Sequence, residues 1–279
     1  VKMTGKKSKR TLDKTEIINM YRDGYSTSEI GECANISARY VRQILTENNI
    51  PKRPRGHWKR KYDLNEDYFK TWSNNMAYIL GFFVADGTIP QHAQTVSFSQ
   101  KSKSILEDIK AEMGSNQPLY RNEKTGVYIL NLNSKVMKMD LIQIHGIKPN
   151  KSSTIEFPHV PDKYLNHFIR GYFDGDGFVN YPKFFVSFVG GSYLFMKQLQ
   201  NKLEKQGFET NFTSHATFYR VYISGRRTIK LFSDWMYTDK GLFLQRKYNE
   251  FKQEKLDPTL LKDSIKTHKN ALEKRKDMK

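Results

Sequence analysis

The chain is short of the features that would assign it quickly. It has one cysteine, Cys33, in 279 residues, which excludes an internal disulfide framework and any cysteine-based zinc cluster. It has no long apolar run. The longest, MAYILGFFVA (Met76 to Ala85), is too short to span a bilayer and leads into an aspartate. It is also poor in acid, with 29 Asp and Glu against 47 Lys and Arg, a net charge of +18. Such an excess favours a polyanionic partner, and nucleic acid is the first candidate. The opening VKMTGKKSKR lacks the apolar core of a secretory signal, so an intracellular protein is expected.

What is present divides into unequal parts. Residues 1–61 hold fifteen Lys and Arg against six Asp and Glu, half the net charge in under a quarter of the chain. Within residues 1–50 three short helices are expected. Ile17, Ile18 and Tyr21 give the first an apolar side, and Ser26 or Thr27 can cap the second. Ser37 can cap the third, where Val41, Ile44 and Leu45 recur at helical spacing. Two short helices about a tight turn, the second carrying Arg39 and Arg42, suggest a helix-turn-helix; a plain three-helix bundle with a basic face is the alternative. A basic segment over 51–71 follows, with Lys52, Arg53 and Arg55 beside Pro51 and Pro54, which forbid a helix through them. It is a charged linker or an arm lying in a minor groove.

From residue 72 the chain can be read twice. ILGFFVADGTI (Ile79 to Ile89) and RGYFDGDGFV (Arg170 to Val179) match at a spacing of ninety residues: Gly81 with Gly171, Asp86 with Asp176, Gly87 with Gly177. Each stretch opens a helix-strand-strand-helix-strand-strand-helix pattern, over 72–160 and 161–251. A duplicated unit of this size suggests a fused pseudo-dimer whose matched helices meet across a pseudo-two-fold axis. Small residues four apart, Gly81 with Ala85 and Gly171 with Gly175, remove the side chains that would hold two helices apart. Gly87 and Gly177 suit a left-handed helix stop. Each helix then ends on an aspartate at a shared interface. Two carboxylates about 5 Å apart would repel by roughly 3 kcal/mol at an effective dielectric of 20. Proton sharing or a divalent cation would relieve this, and Mg²⁺ suits carboxylates facing phosphate. Metal-assisted phosphodiester hydrolysis is then the natural chemistry. A calcium loop starting at Asp174 fails, because Phe178, Val179 and Phe185 fall where a ligand oxygen, glycine and glutamate are required.

These residues carry a resemblance. ILGFFVADG and IRGYFDGDG resemble the two motif copies of single-chain LAGLIDADG homing endonucleases. The resemblance implies an α+β class: a pseudo-two-fold, duplicated αββαββα fold with antiparallel DNA-binding sheets, behind a small all-α helix-turn-helix-like domain. It implies metal ligands at Asp86 and Asp176, with the carbonyls of Ala85 and Gly175, and Mg²⁺ or Mn²⁺ as cofactor. Lys151 and Lys247 match the family's late basic residue, with Lys148 and Arg246 as neighbours in competition, and Gln100 matches its water-orienting polar residue. The second copy has Gly190–Gly191 at that place, so the two sites are not equivalent. Asp174 faces Val84 in the other copy and is read as a peripheral or structural acid. Strand alternation makes Gln91, Gln94, Arg121, Asn131, Asn133, Lys183, Arg220 and Tyr222 candidates for reading bases. The function implied is a monomeric, site-specific double-strand DNA endonuclease with a long asymmetric target, cutting across the minor groove to leave 3′ overhangs. The alternative is a catalytically silent DNA-binding regulator or an RNA-splicing maturase on the same fold. Residues 252–279 read as a charged tail without a role.

Overall fold

The structure, a computed structural model, describes residues 10–52 and 61–262. The chain divides into two compact units, Val1–Tyr62 and Asp63–Lys279.

The first unit holds α1 (Lys14–Arg22), α2 (Thr27–Ala34) and α3 (Ala38–Glu47). Their starts are written locally. Asp13 with Glu16 and Ser26 with Glu29 form capping boxes, and Ser37 Oγ accepts from the Tyr40 amide at 3.2 Å. Ile17, Ile30, Val41, Ile44 and Leu45 fill its core. Asn35 adopts the left-handed conformation (φ 51°) between α2 and α3. A Cβ on Gly31 would lie 2.7 Å from the Ile36 carbonyl oxygen, so the turn folds tightly onto α2. Arg39 and Arg42 are exposed on α3, Arg42 donating to Thr27 Oγ1 at 3.3 Å. Lys52 is exposed outside any helix or strand, and Arg53 and Arg55 lie outside the described residues.

The second unit contains the repeat. Its first copy runs α4 (Asn74–Asp86), β1 (Gly87–Thr88), β2 (Thr95–Gln100), α5 (Lys103–Glu112), β3 (Tyr120–Arg121), β4 (Tyr128–Asn133) and α6 (Lys135–Gln143). Its second runs α7 (Leu165–Asp176), β5 (Gly177–Asn180), β6 (Phe185–Gly190), α8 (Tyr193–Lys205), β7 (Asn211–Ser214), β8 (Tyr219–Ser224) and α9 (Arg226–Met236). Each copy forms an antiparallel four-stranded sheet, ordered β1-β2-β4-β3 and β5-β6-β8-β7. Leu130, Leu132, Val221 and Ile223 are buried on the helix side of the sheets. Asn131 and Asn133 are exposed on the other face, and Arg220 and Tyr222 are half-buried there.

α4 and α7 form the spine. α4 buries every residue from Met76 to Val84, and α7 every residue from His167 to Asp174. A helix buried all round must meet another helix closely. Here the approach is backbone to backbone: a Cβ on Gly81 would lie 2.0 Å from the Phe168 carbonyl oxygen, and one on Gly171 1.9 Å from that of Tyr78.

Several expectations need correction. Gly87 and Gly177 are not left-handed stops; they are extended (φ −89° and −81°), and each helix passes straight into a strand. What forbids a side chain there is a ring, since a Cβ would meet Phe83 or Phe173 at 2.1 Å. Gln91 and Gln94 sit in the β1–β2 connection, which Lys138 Nζ ties down by donating to the carbonyls of Pro90, Gln91 and Ala93. Lys183 lies in the short 3-10 turn Tyr181–Lys183, ahead of β6. Arg121 pairs with Tyr128, placing it on the helix side; Tyr120, paired with Ile129, takes the outward position. The segment after residue 251 is not a free tail where it is described. α10 (Gln245–Phe251) is followed by Glu254, which accepts from Tyr181 Oη and from Arg226 Nε at 2.6 Å, and by buried Leu261.

Candidate active site

The crossing of α4 and α7 delivers Asp86 and Asp176 to one place. A Cβ on Gly175 would lie 2.2 Å from Ala85 Cβ and 3.2 Å from Asp86 Oδ2, so any larger residue there would strike the opposite helix end. Neither helix end offers its acid a favourable dipole. Burial, and then the charge of Asp176, push the Asp86 carboxyl up to about 7, against the pull of Lys247, Lys151 and Arg246. Burial likewise raises Asp176, opposed by Lys151 and Lys247. Near neutral pH the Asp86 carboxyl is therefore only partly ionised.

The two lysines arrive from unrelated elements and find equivalent posts. Lys151, in the 3-10 turn Lys151–Ser153, donates to the Gly87 carbonyl at 2.6 Å. Lys247, in α10, donates to the Gly177 carbonyl and also to those of Phe173 and Asp174, the last at 2.9 Å. Each thus binds the carbonyl just after a motif aspartate. Lys247 is 4% exposed, and burial pulls its ammonium down to about 8; burial also lowers Lys151. Asp176 lines two adjoining depressions, one walled by Lys151 and Gly190, the other by Lys247 and Arg246.

Gln100 ends β2 and donates through Nε2 to Asp86 Oδ2 at 2.8 Å, while its Oε1 accepts from the Lys101 amide. It therefore fixes the carboxylate. The matching end of β6 is Gly190, where a Cβ would meet Met196 Sδ at 2.8 Å and Tyr172 Oη at 3.0 Å.

Behind the second acid lies a buried polar group that its pattern did not announce. Asp174 is fully buried, not peripheral. Its Oδ2 accepts from Tyr78 Oη of α4 at 2.8 Å and from the Leu244 amide, just ahead of α10, at 2.6 Å. Buried Arg170 donates to the carbonyls of Leu242 and Met236 at 2.9 Å each and stacks over Tyr78. The group joins both motif helices to the segment that carries Lys247. An arginine and an aspartate four residues apart, Arg170 and Asp174, in the helix that carries Asp176 are its trace in the sequence.

A divalent cation suits the donors present. The Asp86 and Asp176 carboxylates and the Ala85 and Gly175 carbonyls are hard oxygens. Burial and then the neighbouring Asp176 charge raise Asp86, and a divalent cation would offset both. Among the described residues no cluster of three or more His, Cys, Asp or Glu forms a closed cage. An open pair of carboxylates leaves positions for water and phosphate oxygen, as Mg²⁺ prefers.

Comparison with known proteins bears on this arrangement. The LAGLIDADG-like domain model matches residues 73–141 and again 163–234. A curated relative, "Probable translation initiation factor IF-2" of Thermococcus kodakarensis, is 26% identical over 158 residues. That stretch is 54% of this chain and 14% of the relative, so the chain spans about a seventh of that protein's length. Among solved structures, full-length DUF199/WhiA from Thermatoga maritima aligns with a TM-score of 0.45 at 14% identity, over 77% of this chain and 72% of that one. The homing endonuclease I-DmoI, in mesophilic variants, gives 0.41 at 15% identity, over 62% and 97%. I-DmoI in complex with DNA and Mn gives 0.42 at 15%, over 64% and 100%. No helix among the described residues is long and apolar enough to cross a membrane. The two matched stretches together make up just over half of the sequence, and the chain belongs to the LAGLIDADG-like domain family.

Proposed function

We propose that this protein is a site-specific, double-strand DNA endonuclease that hydrolyses one phosphodiester in each strand with a divalent cation, leaving 3′ overhangs. The observation that carries the reading is the meeting of Asp86 and Asp176 at the ends of two helices packed backbone to backbone, each beside a buried or half-buried lysine. Asp86, Asp176 and the carbonyls of Ala85 and Gly175 would hold Mg²⁺ or Mn²⁺, which when bound supplies Lewis acidity and lowers the pKa of bound water. The chain's own groups do the rest. Gln100 holds the Asp86 carboxylate in one orientation. Lys151 and Lys247 place positive charge beside the scissile phosphates, and Lys247, pulled down to about 8, can exchange a proton near neutral pH.

The sheets support DNA as the substrate. No outward-facing position on any of the eight strands is acidic, while Asn131, Asn133, Arg220 and Tyr222 face outward. Arg39 and Arg42 on α3, as in a helix-turn-helix, add phosphate contacts in this reading. Gly190, which leaves the second half without a partner for Gln100, favours a second reading: a regulator or maturase that binds nucleic acid without cutting it.

One titration separates these readings. A target selected by the full chain is incubated with Mg²⁺ and wild-type protein or the Asp86→Asn/Asp176→Asn variant. The wild type should cut and the variant should bind without cutting; a variant that cuts at the wild-type rate would remove the acids from the chemistry. Binding without cleavage by both would favour the silent reading. Removing residues 1–61 should lower affinity and flatten its salt dependence, because fewer counterions are displaced.

A further inference from the structure

Matched rows of the two sheets carry different chemistry on their outward faces. In the first sheet the row crossing β1, β2 and β4 is Thr88, Ser97, Asn131; in the second, across β5, β6 and β8, it is Phe178, Ser187, Tyr222. The next row is Thr95 with Asn133 in the first sheet and Asn180, Phe185 and Ser224 in the second. In these rows the first face is built of hydroxyl–amide pairs: Ser97 Oγ donates to Asn131 Oδ1 at 2.7 Å, and Thr95 Oγ1 to Asn133 Oδ1 at 2.8 Å, while Ile129 and Tyr120 stand one outward row away. The second face places aromatic rings in these rows, with Asn211 beside Tyr222. Phe178 is 54% exposed, the Phe185 and Tyr222 rings lie 5.4 Å apart, and Ser187 between Phe178 and Tyr222 is only 3% exposed.

These rings lie on the face opposite Val186, Phe188 and Val221, which fill the core. Their occupant is constrained by charge. No acid stands on either outward face, Arg220 stands one row over, and the chain carries +18. It is constrained by place as well, since β5 starts at Gly177, directly after Asp176. A polyanion lying over the candidate catalytic acids would therefore meet β5 of this face beside Asp176. In the major groove of B-DNA the apolar feature is the C5-methyl group of thymine, and apolar side chains read it by contact.

We infer that the second sheet reads its half of the target through thymine methyl groups, by Phe178, Phe185 and Tyr222, whereas the first reads hydrogen-bonding base edges. This rests on the DNA-binding reading above and specifies how its two halves divide the work.

Deoxyuridine tests it, because uracil keeps the base pair and lacks only the methyl. A target selected by the full chain is resynthesised with uracil in place of thymine in one half at a time, and affinity is measured by anisotropy. One half should be insensitive. The other should lose about four-fold per contacted methyl. That sensitivity should vanish in the Phe178→Thr/Tyr222→Asn variant, which places the first sheet's row on the second. Both positions face outward, so an unchanged melting temperature confirms the fold. Equal sensitivity of both halves, no sensitivity in either, or sensitivity that persists in the variant would overturn the inference while leaving DNA recognition intact. If the full chain selects no site at all, DNA recognition fails and this inference fails with it.

Discussion

Asp86 and Asp176 end equivalent helices, yet their surroundings differ. Asp86 is bonded by Gln100; the same place beside Asp176 is Gly190, closed off by Met196 and Tyr172. Lys151 leans on one carbonyl and is partly open, whereas Lys247 is sealed under three. Val84 in the first helix is an apolar contact; its counterpart Asp174 organises Tyr78, Leu244 and a buried arginine. Backbone features agree between the halves: the glycine crossing, the acid at the helix end, the strand order. Side chains one layer out do not. The lesson is that a shared backbone frame holds the two acids while the side chains around each acid differ.

The frame itself should be symmetric, and that is where the largest effects are expected. Gly81→Ala and Gly171→Ala each drive a methyl to about 2 Å from a backbone carbonyl oxygen, so each should cost at least about 4 kcal/mol or prevent folding. Thermal melts of the two variants check this, and tolerance of either one alone would break the symmetry. Asp174→Val installs the first half's residue in the second. It strands the Tyr78 hydroxyl and the Leu244 amide and leaves Arg170 without a buried counter-charge, a loss of about 3 kcal/mol by urea unfolding.

Gln100→Gly makes the opposite exchange, giving the first half the second's glycine. It should slow cleavage of one strand by about ten- to a hundred-fold and spare the other, as read on end-labelled strands. Equal slowing of both would mean that Gln100 does not act through Asp86 alone. The smallest effect is in pH. Asp86 titrates at about 7 when folded and near 4 when unfolded, so without divalent cation its destabilising effect is absent at pH 4 and complete above pH 7. Asp86→Asn should then match the wild type at pH 4 and exceed it at pH 8, by on the order of 1–3 kcal/mol.

Much of this was legible in the sequence because the duplicated features are short-range. Glycine spacing, apolar helices ending on acids and alternating strands each write their pattern locally, and Ser26, Ser37 and Ser73 capped helices as such residues do. What escaped depends on contacts remote in sequence. The stop at Gly87 is dictated by where the Phe83 ring lies, not by backbone sign. Arg121 takes the helix-side register position, though exposed, because β3 is only two residues long and a one-residue shift in register exchanges it with Tyr120. Asp174 reads as peripheral or structural in the sequence, and its structural role depends on partners 96 and 70 residues away. The aromatic face of the second sheet was overlooked because Phe178 and Phe185 look like core residues until their strand parity is known.

The central claim is that Asp86 and Asp176 act as a pair in cutting DNA. Strand-resolved cleavage of a selected target in Mg²⁺ tests it most directly, with wild type, Asp86→Asn, Asp176→Asn and the double variant compared at equal occupancy of DNA. The account predicts two cuts by the wild type, with unequal strand rates, impaired cutting by each single variant, and none by the double variant, which stays bound. Wild-type cleavage of both strands by the double variant would contradict it.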